Sequence, residues 1–287
     1  MRSGAGNMAT VVITGATGFL GRFLTAHLAS RGLTIIPVSR RSFPGIYQVQ
    51  DYSQSPGGDV LIHLAEEPDR SKGNRLGETY LLKAASVIRV LSGRHYRRII
   101  YASSGVVYGD QNECPCRVDM PVFATDVYSN SKLTNEQMVL DSGGAVVRLS
   151  NLFGNGMAVN NVMSDIIRQI PGIGALRVRD DKPIRDFLPV SDAASAFSLI
   201  VESNCCGIVN VGSGIGISVK ALAELSLASV GQEAREIVAT EPSSRRSINV
   251  LDISETTKIL GWSPTSSLND YLGQLFCNRE KSANDKA

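Results

Sequence analysis

Short apolar runs alternate with segments of helical periodicity through the first half of the chain. A continuous apolar run within Thr10–Thr14 predicts a buried strand, and a glycine-rich turn follows it. Apolar residues then recur at helical spacing over Leu20–Leu28, and Gly32 is expected to end this helix. Leu33–Val38 predicts a second strand. This order of strand, turn, helix and strand is the setting in which a glycine-rich turn binds a dinucleotide.

The same alternation continues toward the middle of the chain. It predicts strands over Asp59–Leu64, Arg98–Ser103 and Ala145–Leu149, and helices over Leu81–Leu91 and around Tyr128. Strands that alternate with helices form a parallel sheet with helices on both faces. We therefore predict an α/β fold with a Rossmann-type, doubly wound parallel sheet.

Beyond Asn151 the alternation weakens and glycines become frequent. Helical patterns return over three segments, Val162–Gln169, Val219–Val230 and Asp252–Leu260. They predict a smaller C-terminal domain that binds the substrate. We place the dinucleotide-binding domain at residues 8–155, with a return of the chain over about residues 185–212, and the substrate-binding domain at residues 156–287.

Several residues suited to ligand binding fall at or just past the ends of predicted strands: Gly15, Arg40, Ala65, Ser104 and Asn151. In a doubly wound sheet, ligands bind at the carboxyl ends of the strands. The agreement in position predicts one ligand site along this edge of the sheet.

Composition excludes several classes of partner. The 287 residues include 29 Lys and Arg against 27 Asp and Glu, so the net charge of +2 does not indicate a nucleic-acid partner. No apolar run approaches the ~20 residues that cross a membrane. The polar segment Met1–Asn7 lacks the apolar core of a signal peptide, and the sequence leaves open whether the native chain begins at Met8. We expect a cytoplasmic protein without membrane contact.

The cysteines and histidines do not form a metal motif. Five cysteines are present, including the close pairs Cys114/Cys116 and Cys205/Cys206, but no second pair or histidine follows at ligand spacing. We expect reduced cysteines and no bound metal.

The glycine-rich turn has the spacing Gly15-x-x-Gly18-x-x-Gly21, which differs from the simpler GxGxxG. Glycines let the backbone approach a pyrophosphate, and the following helix N-terminus offers free N–H groups and partial positive charge. We expect contacts to the cofactor from Gly15, Thr17, Gly18, Phe19, Leu20 and Gly21.

The end of the second strand distinguishes between the two dinucleotides. NAD-binding proteins usually carry Asp or Glu here to bond the ribose 2′-hydroxyl. This chain has Ser39-Arg40-Arg41 and no acid, and arginines suit a 2′-phosphate. The sequence favours NADP(H), with NAD(H) and a pair of merely solvated arginines as the alternatives.

Tyr128 and Lys132 lie four residues apart on a predicted helix and therefore share one face. A phenol normally titrates near pH ~10. A neighbouring cation favours the phenolate, so we expect Lys132 to lower the pKa of Tyr128 and also to bond a ribose hydroxyl. An ordinary surface pair on a helix has the same spacing.

Seven motifs together resemble the extended short-chain dehydrogenase/reductases and, within them, the nucleotide-sugar epimerase/dehydratase family. They are Thr14–Gly21, His63-Leu64-Ala65, Tyr101–Gly109, Tyr128–Lys132, Arg148–Asn151, Arg185–Asp192 and Leu260–Pro264. The resemblance covers nearly all of Thr10–Leu272. It implies a homodimer formed through the Leu81–Leu91 helix and the helix that carries Tyr128.

The resemblance also implies roles for individual residues. Ser104 would bond the substrate oxygen alongside Tyr128, and Lys132 would complete the catalytic set; Tyr128 and Lys132 would also contact the cofactor. Further cofactor contacts would come from Asp51, at the adenine, and from Tyr52, Leu64 and Ala65. The sugar or its diphosphate would be held by Asn151, Asn160, Asn161, Arg185 and Arg246.

Departures from the family pattern bear on the reaction. Family dehydratases carry Asp-Glu directly after the catalytic hydroxyl, where this chain has Gly105-Val106. Family epimerases hold NAD tightly through an acid after the second strand, where this chain has arginines. Tyr80 stands near the position of a cofactor-contacting asparagine.

We therefore predict an NADPH-dependent reductase of a nucleotide-linked 4-keto-6-deoxysugar, with Tyr128 as the proton donor. The alternatives are an NAD-dependent 4-epimerase, a reductase of a non-sugar ketone, and a non-catalytic dinucleotide sensor. The sequence leaves open the nucleotide, the sugar and the stereochemistry of the product.

Overall fold

A computed structural model describes residues 9–273, 275 and 276. The segment Met1–Asn7 and the start at Met8 lie outside the described residues. The chain forms two compact units, each built from three segments. The first takes in the described residues up to Val107, Pro121–Arg148 and Ala194–Val209, and the second takes in Tyr108–Met120, Leu149–Ala193 and the described residues from Asn210.

The first unit is organised around a sheet that, within the described residues, has seven strands in the order β10-β6-β5-β4-β1-β2-β3. The ladders β1–β2, β1–β4, β4–β5 and β2–β3 are parallel. The strands are β1 (Thr10–Thr14), β2 (Thr34–Ser39), β3 (Tyr47–Gln48), β4 (Val60–His63), β5 (Arg98–Ser104), β6 (Ala145–Leu149) and β10 (Gly207–Val211). The chain turns from one side of β1 to the other between β2 and β4, which is where a doubly wound sheet binds ligands. The predicted fold class is confirmed.

The helices that accompany these strands are α1 (Phe19–Ser30), α2 (Arg70–Leu76), α3 (Glu78–Ser92), α4 (Val127–Asp141) and α6 (Val190–Glu202). The apolar periodicity predicted α1, α3 and α4, whereas α2 and α6 were not predicted. Val12, Leu61 and Ile99 bury one face of the sheet against Ile88 and Leu91 of α3. Burial of such side chains stabilises the fold by about 1.5–3 kcal/mol each.

Helix α4 departs from the usual apolar stripe, because most of its buried residues are polar. Ser129, Lys132, Asn135 and Glu136 are all buried, and Val139 is the main apolar contribution. Asp126 caps the helix by accepting a hydrogen bond from the Ser129 amide at 2.8 Å. Polar partners must therefore be supplied by the sheet below this helix.

The second unit contains shorter elements around its own apolar core. They are β7 (Asn151–Phe153), α5 (Val162–Gln169), β8 (Leu176–Val178), β9 (Ile184–Pro189), β11 (Gly216–Ser218), α7 (Val219–Ala228), β12 (Ile237–Ala239), β13 (Ile248–Asn249) and α8 (Ser254–Leu260). Strand β9 pairs in parallel with β7 and β13 and antiparallel with β11. The core joins Phe153, Ile166, Phe187 and Leu222.

The described residues offer neither a helix that could span a bilayer nor a cluster of metal-ligating side chains. None of the described helices combines the length and apolar character needed to cross a bilayer. Among the same residues, no three His, Cys, Asp or Glu side chains come together as a metal site would require.

Candidate active site

The turn after β1 is built for close backbone approach. Gly15 has φ +72°, a conformation that favours glycine, and a Cβ there would lie 3.1 Å from the backbone of Ala65. A Cβ on Gly21 would lie 2.2 Å from the Gly15 carbonyl oxygen, so helix α1 can pack against the turn only with glycine there. The Gly18 amide closes the turn on the Gly15 carbonyl at 2.9 Å.

Helix α1 begins directly after this turn with its first amides uncapped by side chains. Its N-cap is Gly18, and its first turn contains no acidic residue. The first amides of a helix lack intrahelical partners and carry partial positive charge. A pyrophosphate fits such an end, so the residues Gly15–Gly21 suit the dinucleotide that the sequence predicts.

The end of β2 presents two arginines beside a fixed serine. Ser39 is buried, and its hydroxyl lies 2.8 Å from the Thr17 hydroxyl and accepts the Arg41 amide at 3.0 Å. Arg40 and Arg41 are exposed, and neither forms an ion pair with another described residue. The Arg40 guanidinium lies 5.5 Å from the centre of the Tyr52 ring.

Asp51 precedes the 3-10 turn Tyr52–Gln54 and caps it. Its carboxylate accepts the Ser53 amide at 2.9 Å, and hydrogen bonds from Ser53 lower the pKa of Asp51 below its usual value. This carboxylate is therefore ionised and fixed. Its predicted contact with adenine stays a prediction.

The end of β4 lies against the glycine turn. The Leu64 amide donates to the Thr14 carbonyl at 3.3 Å, and Leu64 and Ala65 form the backbone that a side chain on Gly15 would strike. His63, one residue earlier, is fully buried and bonds the Thr14 hydroxyl through Nδ1 at 2.9 Å. Burial lowers the pKa of His63 to about 4, so its ring is neutral at physiological pH.

Helix α4 brings Tyr128 and Lys132 together. The Lys132 ammonium lies 5.7 Å from the centre of the Tyr128 ring and donates to the Ala102 carbonyl of β5 at 3.0 Å. Ser104 is the last residue of that strand, two residues beyond Ala102. The Tyr128 ring stacks on the Tyr80 ring of α3, with centres 6.5 Å apart and planes 8° from parallel.

Glu66 was not among the residues expected here, yet it is the principal partner of Lys132. Its side chain is 6% exposed and its Oε2 lies 2.8 Å from the Lys132 ammonium. Its Oε1 accepts hydrogen bonds from the Tyr101 hydroxyl and the Asn135 amide, both at 2.7 Å. The Tyr80 hydroxyl donates to Oε2 at 3.4 Å.

The charges of this cluster follow from burial and pairing. Burial raises the pKa of a carboxyl, but the Lys132 ammonium and the hydrogen bonds outweigh it and hold the pKa of Glu66 below its usual value. Burial disfavours the Lys132 ammonium, while Glu66 raises its pKa above the usual value. Both groups are therefore charged.

The expected effect on Tyr128 requires a correction. Lys132 does act to lower the pKa of Tyr128, but burial of the phenol is the larger influence and Glu66 adds to it. The net pKa of Tyr128 lies above its usual value, not below it. The spacing of Tyr128 and Lys132 could not reveal this, because neither burial nor Glu66 is part of the motif.

A second buried ion pair supports helix α4. Glu136 faces Arg148 of β6, with 2.7 Å between Oε2 and Nη2 and side chains 3% and 4% exposed. Glu136 also accepts the hydroxyl of Ser103, the neighbour of Ser104. This pair fixes the strand end that carries the candidate catalytic serine.

Apart from Ser104, which lies in the first unit, the predicted substrate residues lie in the second unit. Asn151 begins β7 and donates to the Asp186 carbonyl at 3.0 Å. Asn160 is exposed. Asn161 caps α5, because its side chain accepts the Ser164 amide at 3.0 Å and donates to the Ala158 carbonyl at 2.7 Å. Their binding of a sugar or diphosphate stays a prediction.

The two predicted arginines differ in their surroundings. Arg185 of β9 is tied to Ser247, with 2.7 Å between Nη2 and the hydroxyl. Arg245 pairs with Asp110 at 2.5 Å, whereas Arg246 is exposed and pairs with no carboxylate among the described residues. Of the two adjacent arginines, Arg246 is the one available to a ligand.

The profile described as the NAD dependent epimerase/dehydratase family matches residues 11–212. The chain belongs to this family. The resemblance deduced from the sequence motifs is thereby confirmed. Membership makes the protein an NAD(P)-dependent enzyme of the short-chain dehydrogenase/reductase type.

Relatives within the family catalyse different reactions. The GDP-6-deoxy-D-mannose reductase of Pseudomonas aeruginosa is 30% identical, and the match covers 93% of this chain and 96% of the reductase. The UDP-glucose 4-epimerase of Streptomyces lividans is 24% identical, and the match covers 88% of this chain and 91% of the epimerase. The structure of RMD from Pseudomonas aeruginosa complexed with NADPH matches with a TM-score of 0.81 at 26% identity, over 93% of this chain and 97% of that one.

The glycine turn gives a direct test of the dinucleotide site. We expect Gly21→Ala to lose dinucleotide binding by at least about tenfold, because its Cβ would overlap the Gly15 carbonyl. Gly57→Ala is the matched control, since a Cβ there meets nothing within 4 Å. Binding is measured by nicotinamide fluorescence. Equal affinities in the two variants would contradict the assignment.

Proposed function

We propose that this enzyme is an NADPH-dependent reductase that acts on the 4-keto group of a nucleotide-linked 6-deoxysugar. The observation that carries the proposal is the end of β2, where Arg40 and Arg41 are exposed and unpaired with any described carboxylate. Two cations at this position favour the 2′-phosphate of NADPH. An exchangeable NADPH suits net reduction, whereas a reaction that returns its hydride is served by a tightly held NAD.

The residues of the first unit supply the proton chemistry. When bound, the dinucleotide supplies the hydride that reduces the carbonyl carbon. Tyr128 donates its proton to the carbonyl oxygen as general acid, the ketone becomes an alcohol, and the resulting phenolate regains a proton from solvent. Ser104 donates a hydrogen bond to the same oxygen as negative charge develops there.

The binding residues are assigned from the resemblance and the local geometry. The backbone of Gly15–Gly21 would hold the pyrophosphate, and Ser39, Arg40 and Arg41 the 2′-phosphate. Arg185 and Arg246 would face the diphosphate of the substrate, with Asn151 and Asn160 on the sugar. Asn161 would contribute by fixing the start of α5, since its side chain caps that helix.

The comparisons lend support to a reductase without excluding the second candidate. The GDP-6-deoxy-D-mannose reductase is 30% identical to this chain, and the UDP-glucose 4-epimerase is 24% identical. Gly105-Val106 stands where a family dehydratase has Asp-Glu, which argues against water loss. A 4-epimerase is therefore the second candidate.

The deciding experiment is oxidation of NADPH, followed at the nicotinamide absorbance, with a panel of nucleotide-linked 4-keto-6-deoxysugars. We expect turnover with NADPH and weaker turnover with NADH. The 4-epimerase predicts the opposite pattern: no net oxidation, and interconversion of sugar isomers over tightly bound NAD. That pattern would replace the reductase.

Cofactor preference is tested at the end of β2. We expect Arg40→Ala with Arg41→Ala to raise KM for NADPH at least about tenfold more than KM for NADH, because only NADPH loses partners for a phosphate. The control is Arg89→Ala, an exposed arginine on α3. Equal changes for the two cofactors would refute the assignment.

The acid role is tested at Tyr128. We expect Tyr128→Phe to lower kcat by about 10²–10⁴-fold and to leave NADPH affinity nearly unchanged, because only the proton donor is removed. Tyr47→Phe, at an exposed tyrosine of β3, is the control. A near-normal kcat in Tyr128→Phe would exclude the phenol as the acid.

A further inference from the structure

Glu66 is a buried, ionised carboxylate beside the candidate catalytic pair, and the proposed reaction gives it no role. We propose that Glu66 is a positioning residue that fixes the Lys132 ammonium and offsets its charge, so that the Tyr128 hydroxyl keeps its proton. The proposal rests on the proposed function in one respect, because it takes Tyr128 to be the proton donor.

The contacts of Glu66 leave its carboxylate no freedom to turn. Oε1 accepts from Tyr101 and Asn135, and Oε2 contacts Lys132 and Tyr80. These partners belong to three elements, β5, α4 and α3. The Lys132 ammonium is correspondingly held from two sides, by Glu66 at 2.8 Å and by the Ala102 carbonyl at 3.0 Å. Such a fully bonded carboxylate is suited to fix a neighbouring charge.

The charged groups that act on Tyr128 form two ion pairs. The two cations among them are Lys132 and Arg70, and the two anions are Glu66 and Asp126. Lys132 pairs with Glu66 at 2.8 Å, and Arg70 pairs with Asp126 at 2.5 Å. Tyr80, whose ring stacks on that of Tyr128, is a neutral phenol because burial raises its pKa far above the usual value. A phenolate at Tyr128 would therefore gain little net attraction from its surroundings.

The groups that act on Glu66 lead to the same conclusion. His63 is neutral above pH about 4, so Lys132 is the only cation among the described groups that act on this carboxylate. Tyr101 and Tyr80 are neutral donors, since burial raises the pKa of both. Glu136 also acts on the Lys132 ammonium, but it pairs with Arg148 at 2.7 Å. Removing the charge of Glu66 would therefore leave Lys132 without its principal counter-ion beside the Tyr128 ring.

The consequence for pH dependence has a definite sign. An uncompensated ammonium favours the phenolate and so lowers the pKa of Tyr128. Reduction requires the protonated phenol, and its rate falls as pH rises through that pKa. Loss of the Glu66 charge should therefore move the alkaline decline of kcat/KM to lower pH.

The experiment follows Tyr128 directly, without substrate. The protein is labelled with tyrosine carrying ¹³C at Cζ, and the Tyr128 resonance is identified by its absence from Tyr128→Phe. Its chemical shift is titrated with pH in the wild type and in Glu66→Gln. We expect the midpoint of Glu66→Gln to lie lower by about one pH unit or more.

Two further variants separate the charge from the packing. Glu67→Gln is the matched control, because Glu67 is the adjacent acid and pairs with Lys72. It should leave the midpoint unchanged. Glu66→Gln combined with Lys132→Met removes both charges of the pair, and should bring the midpoint back to that of the wild type or above it, because Lys132 acts on the phenol more strongly than Glu66. This double variant also provides the test if Glu66→Gln alone does not fold.

The outcomes are distinct from those of the proposed function. A midpoint that falls in Glu66→Gln and returns in the double variant supports the proposal. An unchanged midpoint in Glu66→Gln overturns it, as does a lowered midpoint in the double variant. If no ketone is reduced, the proposed function fails while the titration still decides the role of Glu66. Where a ketone is reduced, the alkaline limb of kcat/KM should shift with the midpoint.

Discussion

Helix α4 is held against the sheet by two buried ion pairs, and the candidate chemistry depends on this arrangement. Lys132 pairs with Glu66 after β4, and Glu136 pairs with Arg148 of β6. Burying such charges is costly, and the pairs are tolerable only because additional hydrogen bonds complete them. Loss of one partner from a buried pair typically costs about 3–5 kcal/mol, so these contacts fix the helix firmly. The position of Tyr128 on this helix is therefore set by the two ion pairs.

The dinucleotide turn achieves its shape by a different physical means. There, absence of side chains is decisive, because a Cβ on Gly15 or Gly21 would collide with backbone. Helix α1 is consequently free to present uncapped amides at its first turn. The glycine turn is thus positioned by the absence of side chains, whereas Tyr128 and Lys132 are positioned by buried ion pairs. The two regions adjoin at Leu64, whose backbone faces Gly15 and whose carbonyl accepts the Glu66 amide at 3.0 Å.

Local pattern was sufficient for the five inner strands and three of the helices of the first unit, and for helix α5 of the second unit. The strand Thr10–Thr14, the strand Ala145–Leu149 and the helix Val162–Gln169 were predicted with the bounds that the structure has. Apolar runs bounded by glycines mark such elements without help from distant residues. Motif spacing likewise identified the family. The shorter strands of the second unit were not predicted, because two or three residues carry too little periodicity.

The electrostatics of the site could not be predicted in this way. Glu66 and Glu67 are adjacent acids in the sequence, and nothing local indicates that the side chain of Glu66 is nearly inaccessible. The partners that bury it, Tyr101 and Asn135, lie 35 and 69 residues away. Asn161 is the opposite case. The cap that it forms on α5 is a contact with nearby residues, whereas the family resemblance predicted contact with a ligand. The direction in which the pKa of Tyr128 shifts depends on burial and on Glu66 as well as on Lys132, so the motif alone could not predict it.

The order of the strands along the chain has a consequence for folding during synthesis. Strand β10 lies next to β6 in the sheet, but it begins only at residue 207, after the whole of the second unit's segment Leu149–Ala193 has passed. A nascent chain that ends at residue 150 contains six strands of the sheet and leaves the edge of β6 without its neighbour. Unpaired edges invite association with other chains. A fragment cut at the apparent end of the nucleotide-binding half would therefore expose the edge of β6 to other chains, and the late segment around β10 is what covers that edge.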